Sequence, residues 1–160
     1  MKNYKKITIL GIGNLLLQDE GIGIHVINKL KQKKIPDNVE IIDGGTAGFD
    51  LLPVIQASHK LIVIDAVKTK DKPGTIYKFS PQSIDIKQDI SISLHNIGFM
   101  EAVEFCRKQG KLPQTIIFGI VPEKTGLGLE LSACLKKKIT EIIALVKKEI
   151  KLHKAIIYSA

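Results

Sequence analysis

Residues 61–64 read LIVI, four consecutive apolar side chains closed by Asp65. A strand sends successive side chains to opposite faces, so an unbroken apolar run requires a sheet covered on both sides. TIIF at 115–118 carries the same demand. KITILGI, β-branched and bounded by Gly11 and Gly13, reads as a third buried strand, and VEIID at 39–43 as a short fourth. Between them the apolar period changes to that of helices. Ile22, Val26, Ile27 and Leu30 share one helical face, with the helical pattern starting from Asp19. DLLPVIQAS follows as a helix that tolerates Pro53 in its first turn. A further helix runs from about His95 to a stop at Gly110, and LSACLKKKITEIIALVKKEIKL makes a long amphipathic one with Ser132 as its cap. TIYKFS alternates like an edge strand, and the short loop before it allows an antiparallel direction. The expected architecture is α/β: a three-layer α/β/α sandwich with a small, mostly parallel mixed sheet and right-handed crossovers.

A chain of 160 residues, 44% hydrophobic, can fill one core and reads as a single domain over 1–160. The start, MKNYKKITIL, breaks into GIGN and then QDE, too soon for a secretory segment, and no stretch approaches the roughly 18 apolar residues that span a bilayer. A soluble, cytoplasmic protein without a membrane partner is expected. Cys106 and Cys134 lie far apart without CxxC spacing and read as reduced, packed thiols. The net charge of +8 suggests nucleic acid, but Arg107 is the single arginine and aromatic residues are 5%. The bidentate and stacking contacts that nucleic-acid recognition uses are therefore missing. The lysines cluster in KLKQKK and LKKKITEIIALVKKEIKLHK, where helical spacing places many on a solvent face; the alternative is a basic patch that attracts an acidic protein partner.

In open α/β sheets, ligands bind beyond the carboxyl ends of the strands. Asp19 and Glu20 follow the first strand, Asp43 ends the second, Asp65 ends the third, and His95 opens a helix that can reach the same edge. Carboxylates gathered this closely either raise a pKa or recruit a cation. Glu20, Asp65 and His95 form the best triple: two carboxylates and an imidazole suit zinc or nickel and leave a coordination position open. Water on such a metal becomes a nucleophile near neutral pH. The structural alternatives are a helix cap for Asp19 and a turn brace for Asp43. His25, His59 and His153 have no acidic motif beside them and read as ordinary. GIGNLL departs from GxGxxG at Leu16, and no GxxxxGK[ST], HExxH or GxSxG occurs.

Five blocks, LGIGNLLLQDEGIGIHVINKL, IIDGGTAGFDLLPVI, LIVIDAV, SLHNIGF and GIVPEKTGLGLELS, together resemble the hydrogenase maturation endopeptidase family, from about Ile7 to Ile150. The resemblance implies a three-layer α/β/α sandwich. It implies removal of a C-terminal extension from the large-subunit precursor of a nickel-iron hydrogenase, after nickel insertion. Residue by residue, it carries the family's metal-binding positions onto Glu20, Asp65 and His95, and a further motif acid onto Asp43. The implied cofactor is nickel brought by the precursor, with zinc or cadmium able to take its place in vitro. The implied partner is that precursor, met by a monomer. Three mechanisms are open: a resident metal that activates water, a site that grips nickel already in the substrate, or a carboxylate base such as Asp43 or Asp19. A rival class is a phospho-receiver module, with Asp65 as phosphoacceptor, Asp19 and Glu20 on magnesium, and Lys124 as its lysine.

Overall fold

The computed structural model describes residues 5–81, 91–92 and 97–159. Its strands are β1 (Ile7–Ile12), β2 (Val39–Gly45), β3 (Lys60–Lys68), β4 (Ile76–Phe79), β5 (Ser91–Ile92) and β6 (Gln114–Ile120). Its helices are α1 (Ile22–Lys31), α2 (Leu52–Ala57), α3 (Ile97–Lys108) and α4 (Ala133–Ser159). Short 3-10 turns, Gln18–Gly21 and Gly48–Leu51, lead into α1 and α2. The sheet order is β2-β1-β3-β6-β4. β1 pairs with β2 and β3, and β3 with β6, all parallel; β4 closes the edge antiparallel to β6. This is the expected mostly parallel mixed sheet. β4 follows β3 by a short loop, as its sequence suggested, but takes β6 as its partner, with Gly74 N and Val121 N fastening the loop.

The LIVI run does what two-sided burial demands. Ile62 and Ile64 join Ile27, Leu30, Leu135 and Val146 in a core between the sheet and α1 and α4. Leu61 and Val63 join Ile55, Phe99, Val103 and Cys106 on the other side, beneath α2 and α3. Each of these fully buried aliphatic side chains stabilises the fold by about 1.5–3 kcal/mol. Cys106 and Cys134 are free thiols, buried and half-buried. Ser132 caps α4 as expected, its Oγ accepting the Leu135 N–H at 3.3 Å.

Two expectations need correction. β3 does not end at Asp65 but runs on to Lys68, where β5 adds antiparallel pairing, Val67 with Ile92 and Lys68 with Ser91. A charge in an apolar run reads as a strand end, yet here the backbone continues because β6 still lies beside Asp65 and Ala66. The second correction concerns lysine. Lys60 opens β3 with only 1% of its surface exposed. Its Nζ donates to Glu149 O at 3.0 Å and Oε2 at 3.1 Å, while Lys78 Nζ bonds Oε1 of the same carboxylate. Glu149 and His153, one helical turn apart on α4, face inward at this end of the sheet.

These buried groups make stability sensitive to acid. Burial pushes the Glu149 carboxyl up, but hydrogen bonds from Lys78 and Lys60 outweigh it and hold the pKa below its ordinary 4.5. His153 has no hydrogen-bond partner on either ring nitrogen among the described residues. Burial, then the charges of Lys60, Lys5 and His59, lowers its pKa below 6.5. Burial likewise lowers that of His25, against the opposing pull of Glu130, the Leu129 backbone and Asp19. All three folded pKa values lie below their unfolded ones, so the unfolded chain takes up protons first as pH falls. The histidine contributions are complete above pH 6.5 and are lost on acidification below it. That of Glu149 is complete above 4.5 and lost below. Thermal melting as a function of pH therefore falls in two steps, and His153→Leu shrinks the first step while leaving the second.

Candidate active site

The β1–α1 loop is built to return the chain onto itself. Gly13 has φ +144°, and a Cβ there would lie 2.0 Å from the Glu20 carbonyl oxygen, so only glycine fits. Asn14 N then donates to Glu20 O at 3.2 Å, and Glu20 N to Leu17 O at 3.1 Å. At Gly23 a Cβ would meet Ile64 O at 2.3 Å and Ile12 O at 2.4 Å. The absence of a side chain lets α1 rest its first turn on the backbones of β1 and β3. Gln18 holds a left-handed φ of 47° just before the two acids, local strain of the kind found beside functional groups.

This packing carries Glu20 to the carboxyl end of β3. Glu20 is 2% exposed. Its Oε1 lies 3.6 Å from the Lys68 ammonium, and its Oε2 is shielded with no hydrogen-bond partner among the described residues. A buried carboxylate oxygen without a donor costs on the order of 1–3 kcal/mol or more. The first turn of α1 follows directly, and its dipole relieves part of that cost. Asp65 is 4% exposed and its Oδ1 accepts the Ala66 N–H at 2.7 Å. Glu20 and Asp65 are thus both drawn to one end of β3, as the strand order implied. His95, the third member of the triple, lies outside the described residues. Among the described residues no three His, Cys, Asp or Glu side chains converge on one point. The orphaned oxygen of Glu20 is nonetheless what a cation requires, and the two carboxylates fit part of such a site.

Asp43 stands level with Gly11 in the β1–β2 register, and Gly11 with Ile64 in that of β1–β3. Two strand spacings separate Asp43 from β3, about 10 Å. It is exposed, and its Oδ1 braces the turn by accepting Gly45 N at 3.0 Å.

Asp19 has a different task. It is fully buried. Its Oδ2 accepts the N–H groups of Glu123 and Lys124, both at 2.9 Å, and its Oδ1 accepts Ser132 N at 2.7 Å. It caps neither the 3-10 turn nor α1, whose preceding residues make no side-chain cap bond. The expectation of a structural role holds, but the object is the β6–α4 loop, 104 to 113 residues away. Gln18 N to Gly128 O at 2.8 Å and Gly128 N to Leu16 O at 2.9 Å complete the clamp. With both oxygens engaged, Asp19 is neither a free general base nor a magnesium ligand. The phospho-receiver reading loses one of its two magnesium acids, and Lys124 is an exposed loop residue whose N–H serves that same carboxylate.

Lys68 was not among the residues singled out by motif. Asp65 and Lys68 are three apart, so strand alternation assigns them to opposite faces; only the flexible lysine stem reconciles the two.

A family model, HycI, hydrogenase maturation protease, matches residues 24–149. The chain is 33% identical over 150 residues to the hydrogenase 2 maturation protease of Escherichia coli (strain K12), covering 89% of this chain and 92% of that protein. It is 32% identical over 153 residues to a putative hydrogenase maturation protease of Methanocaldococcus jannaschii, covering 90% and 98%. Among solved structures it resembles the hydrogenase maturating endopeptidase HybD from E. coli, with a TM-score of 0.85, 32% identity, and coverage of 92% and 93%. The fold of that endopeptidase is the α/β sandwich described above.

Proposed function

The chain belongs to the hydrogenase maturation protease family and is a peptidase; on that basis we propose that it removes the C-terminal extension of a nickel-iron hydrogenase large-subunit precursor once nickel is in place. Glu20, Asp65 and His95 grip the nickel that the precursor carries. The observation that carries this reading is the buried Oε2 of Glu20, without a hydrogen-bond partner among the described residues, near the carboxyl end of the strand that bears Asp65. A site of this kind is incomplete without a cation, which makes nickel insertion the condition for cutting. Zinc or cadmium can occupy the same donors in vitro, since carboxylate and imidazole suit each of them.

The chemistry follows from placement. Holding the substrate's nickel fixes the adjoining peptide bond against the sheet edge, and such positioning supplies much of the acceleration. A water oxygen bonds to the scissile carbonyl carbon, the C–N bond breaks, and the departing amine takes a proton. We assign the acceptance of the water's proton to Asp43, which is exposed and whose Oδ1 accepts one backbone N–H. The loops around the site expose Leu16, Leu127 and Leu129 at 60%, 88% and 63%. That apolar rim suits a protein substrate better than a small molecule.

Metal analysis tests whether the nickel comes with the substrate. Protein purified without added metal is expected to contain far less than one nickel or zinc per chain by mass spectrometry, and to leave ordinary peptides uncut. A tightly held, stoichiometric metal would instead make it a resident catalyst.

A further inference from the structure

The nearly buried carboxylate of Glu20 needs a counter-charge when no metal is present. Among the described residues Lys68 supplies it to Glu20, its Nζ standing 3.6 Å from Glu20 Oε1. That separation exceeds the roughly 2.7–2.9 Å of a charge-assisted hydrogen bond. The lysine side chain is 55% exposed while that of Glu20 is 3% exposed. One partner is thus fixed and dry, and the other is solvated and free to leave. Lysine is a strongly hydrated point charge on a flexible stem, without the fork that locks arginine onto a carboxylate. Its backbone is held in place, because Lys68 is the last residue of β3 and pairs with Ser91 of β5.

We propose that Lys68 is a displaceable counter-ion for the metal-gripping site: its ammonium neutralises Glu20 while the site is empty and is expelled when a divalent cation reaches Glu20 and Asp65. The inference rests on the metal-gripping reading above and adds a threshold to it. A free metal ion must compete with the tethered ammonium and is held weakly. A metal carried by a docked precursor arrives at high effective concentration and wins. Lys68 thereby biases the site against free metal and in favour of metal that comes with its substrate.

Calorimetric titration of the metal-free protein with cadmium or nickel salt tests this. An exposed ion pair of this kind sets the expected effect: Lys68→Met tightens metal binding roughly two- to fivefold. Lys68→Arg keeps the charge and adds the fork, so its metal affinity stays at or below that of wild type and does not tighten. Lys70→Met, an equal charge change at an exposed position two residues on, leaves the affinity unchanged. Thermal melting of each variant confirms the fold. If wild-type binding depends on Glu20 but Lys68→Met fails to tighten it, or Lys70→Met tightens it equally, the counter-ion role is wrong and the metal site stands. If Glu20→Gln leaves metal binding untouched, the metal-gripping reading itself is wrong.

Discussion

Glu20→Gln is expected to slow cleavage of the nickel-loaded precursor by on the order of 100-fold or more, while its melting temperature stays unchanged or rises. The two effects together are the signature. An amide keeps the size of the side chain but is a poor metal ligand and carries no charge for the cation to neutralise. In the empty protein the same change removes a buried carboxylate whose Oε2 has no donor among the described residues, and the lost contact to exposed Lys68 is worth little. A residue retained for packing would show the opposite pattern: lower stability with activity falling in proportion. The comparison needs a rate measured on the precursor and a melting curve measured on the free protein.

Asp19→Ala is expected to act the other way round, through the fold. It strips the acceptor from three backbone N–H groups, those of Glu123, Lys124 and Ser132, and unties the β1–α1 loop from the β6–α4 loop. Leaving buried donors unpaired costs about 1–3 kcal/mol each. Water reaches the exposed Glu123 and Lys124 and repairs part of this, so a loss of about 3 kcal/mol is expected. In a chain of this size that lowers the melting temperature by roughly 6–12 °C. Asp19→Asn falls between wild type and alanine, because one amide oxygen still accepts while the NH2 opposes the remaining donors. Cleavage falls in both variants, since Glu20 is the next residue on the same turn, but restoring stability at lower temperature recovers part of it. If Asp19→Ala melts like wild type yet abolishes cleavage, Asp19 belongs to the chemistry and not to the scaffold.

The layered fold was legible because its cause is local. A run such as LIVI cannot be half-exposed, and the intervening helical periods supply its cover. The shared address of Glu20 and Asp65 was legible for a related reason: parallel strands end at one edge, so residues after successive strands gather there. What could not be read depends on partners distant in sequence. Asp19 looks like a cap because short polar residues before helices usually are, whereas its true partners are backbone amides that leave no mark on residue type. Lys60 sits in a chain rich in solvated lysines, and only Glu149, 89 residues later, explains its burial. Lys68 was hidden by strand alternation, and Asp65 ended β3 too early because its charge resembles a terminus. His95 lies outside the described residues, so its place in the triple rests on the sequence alone.

The most direct test is the intact mass of a hydrogenase large-subunit precursor from the same source, incubated with the purified protein in two forms, nickel-loaded and nickel-free. The account predicts loss of a short C-terminal piece from the loaded precursor and none from the nickel-free one. Equal cleavage of both forms would contradict it, because the site would then be complete without the metal that Glu20 and Asp65 are proposed to hold.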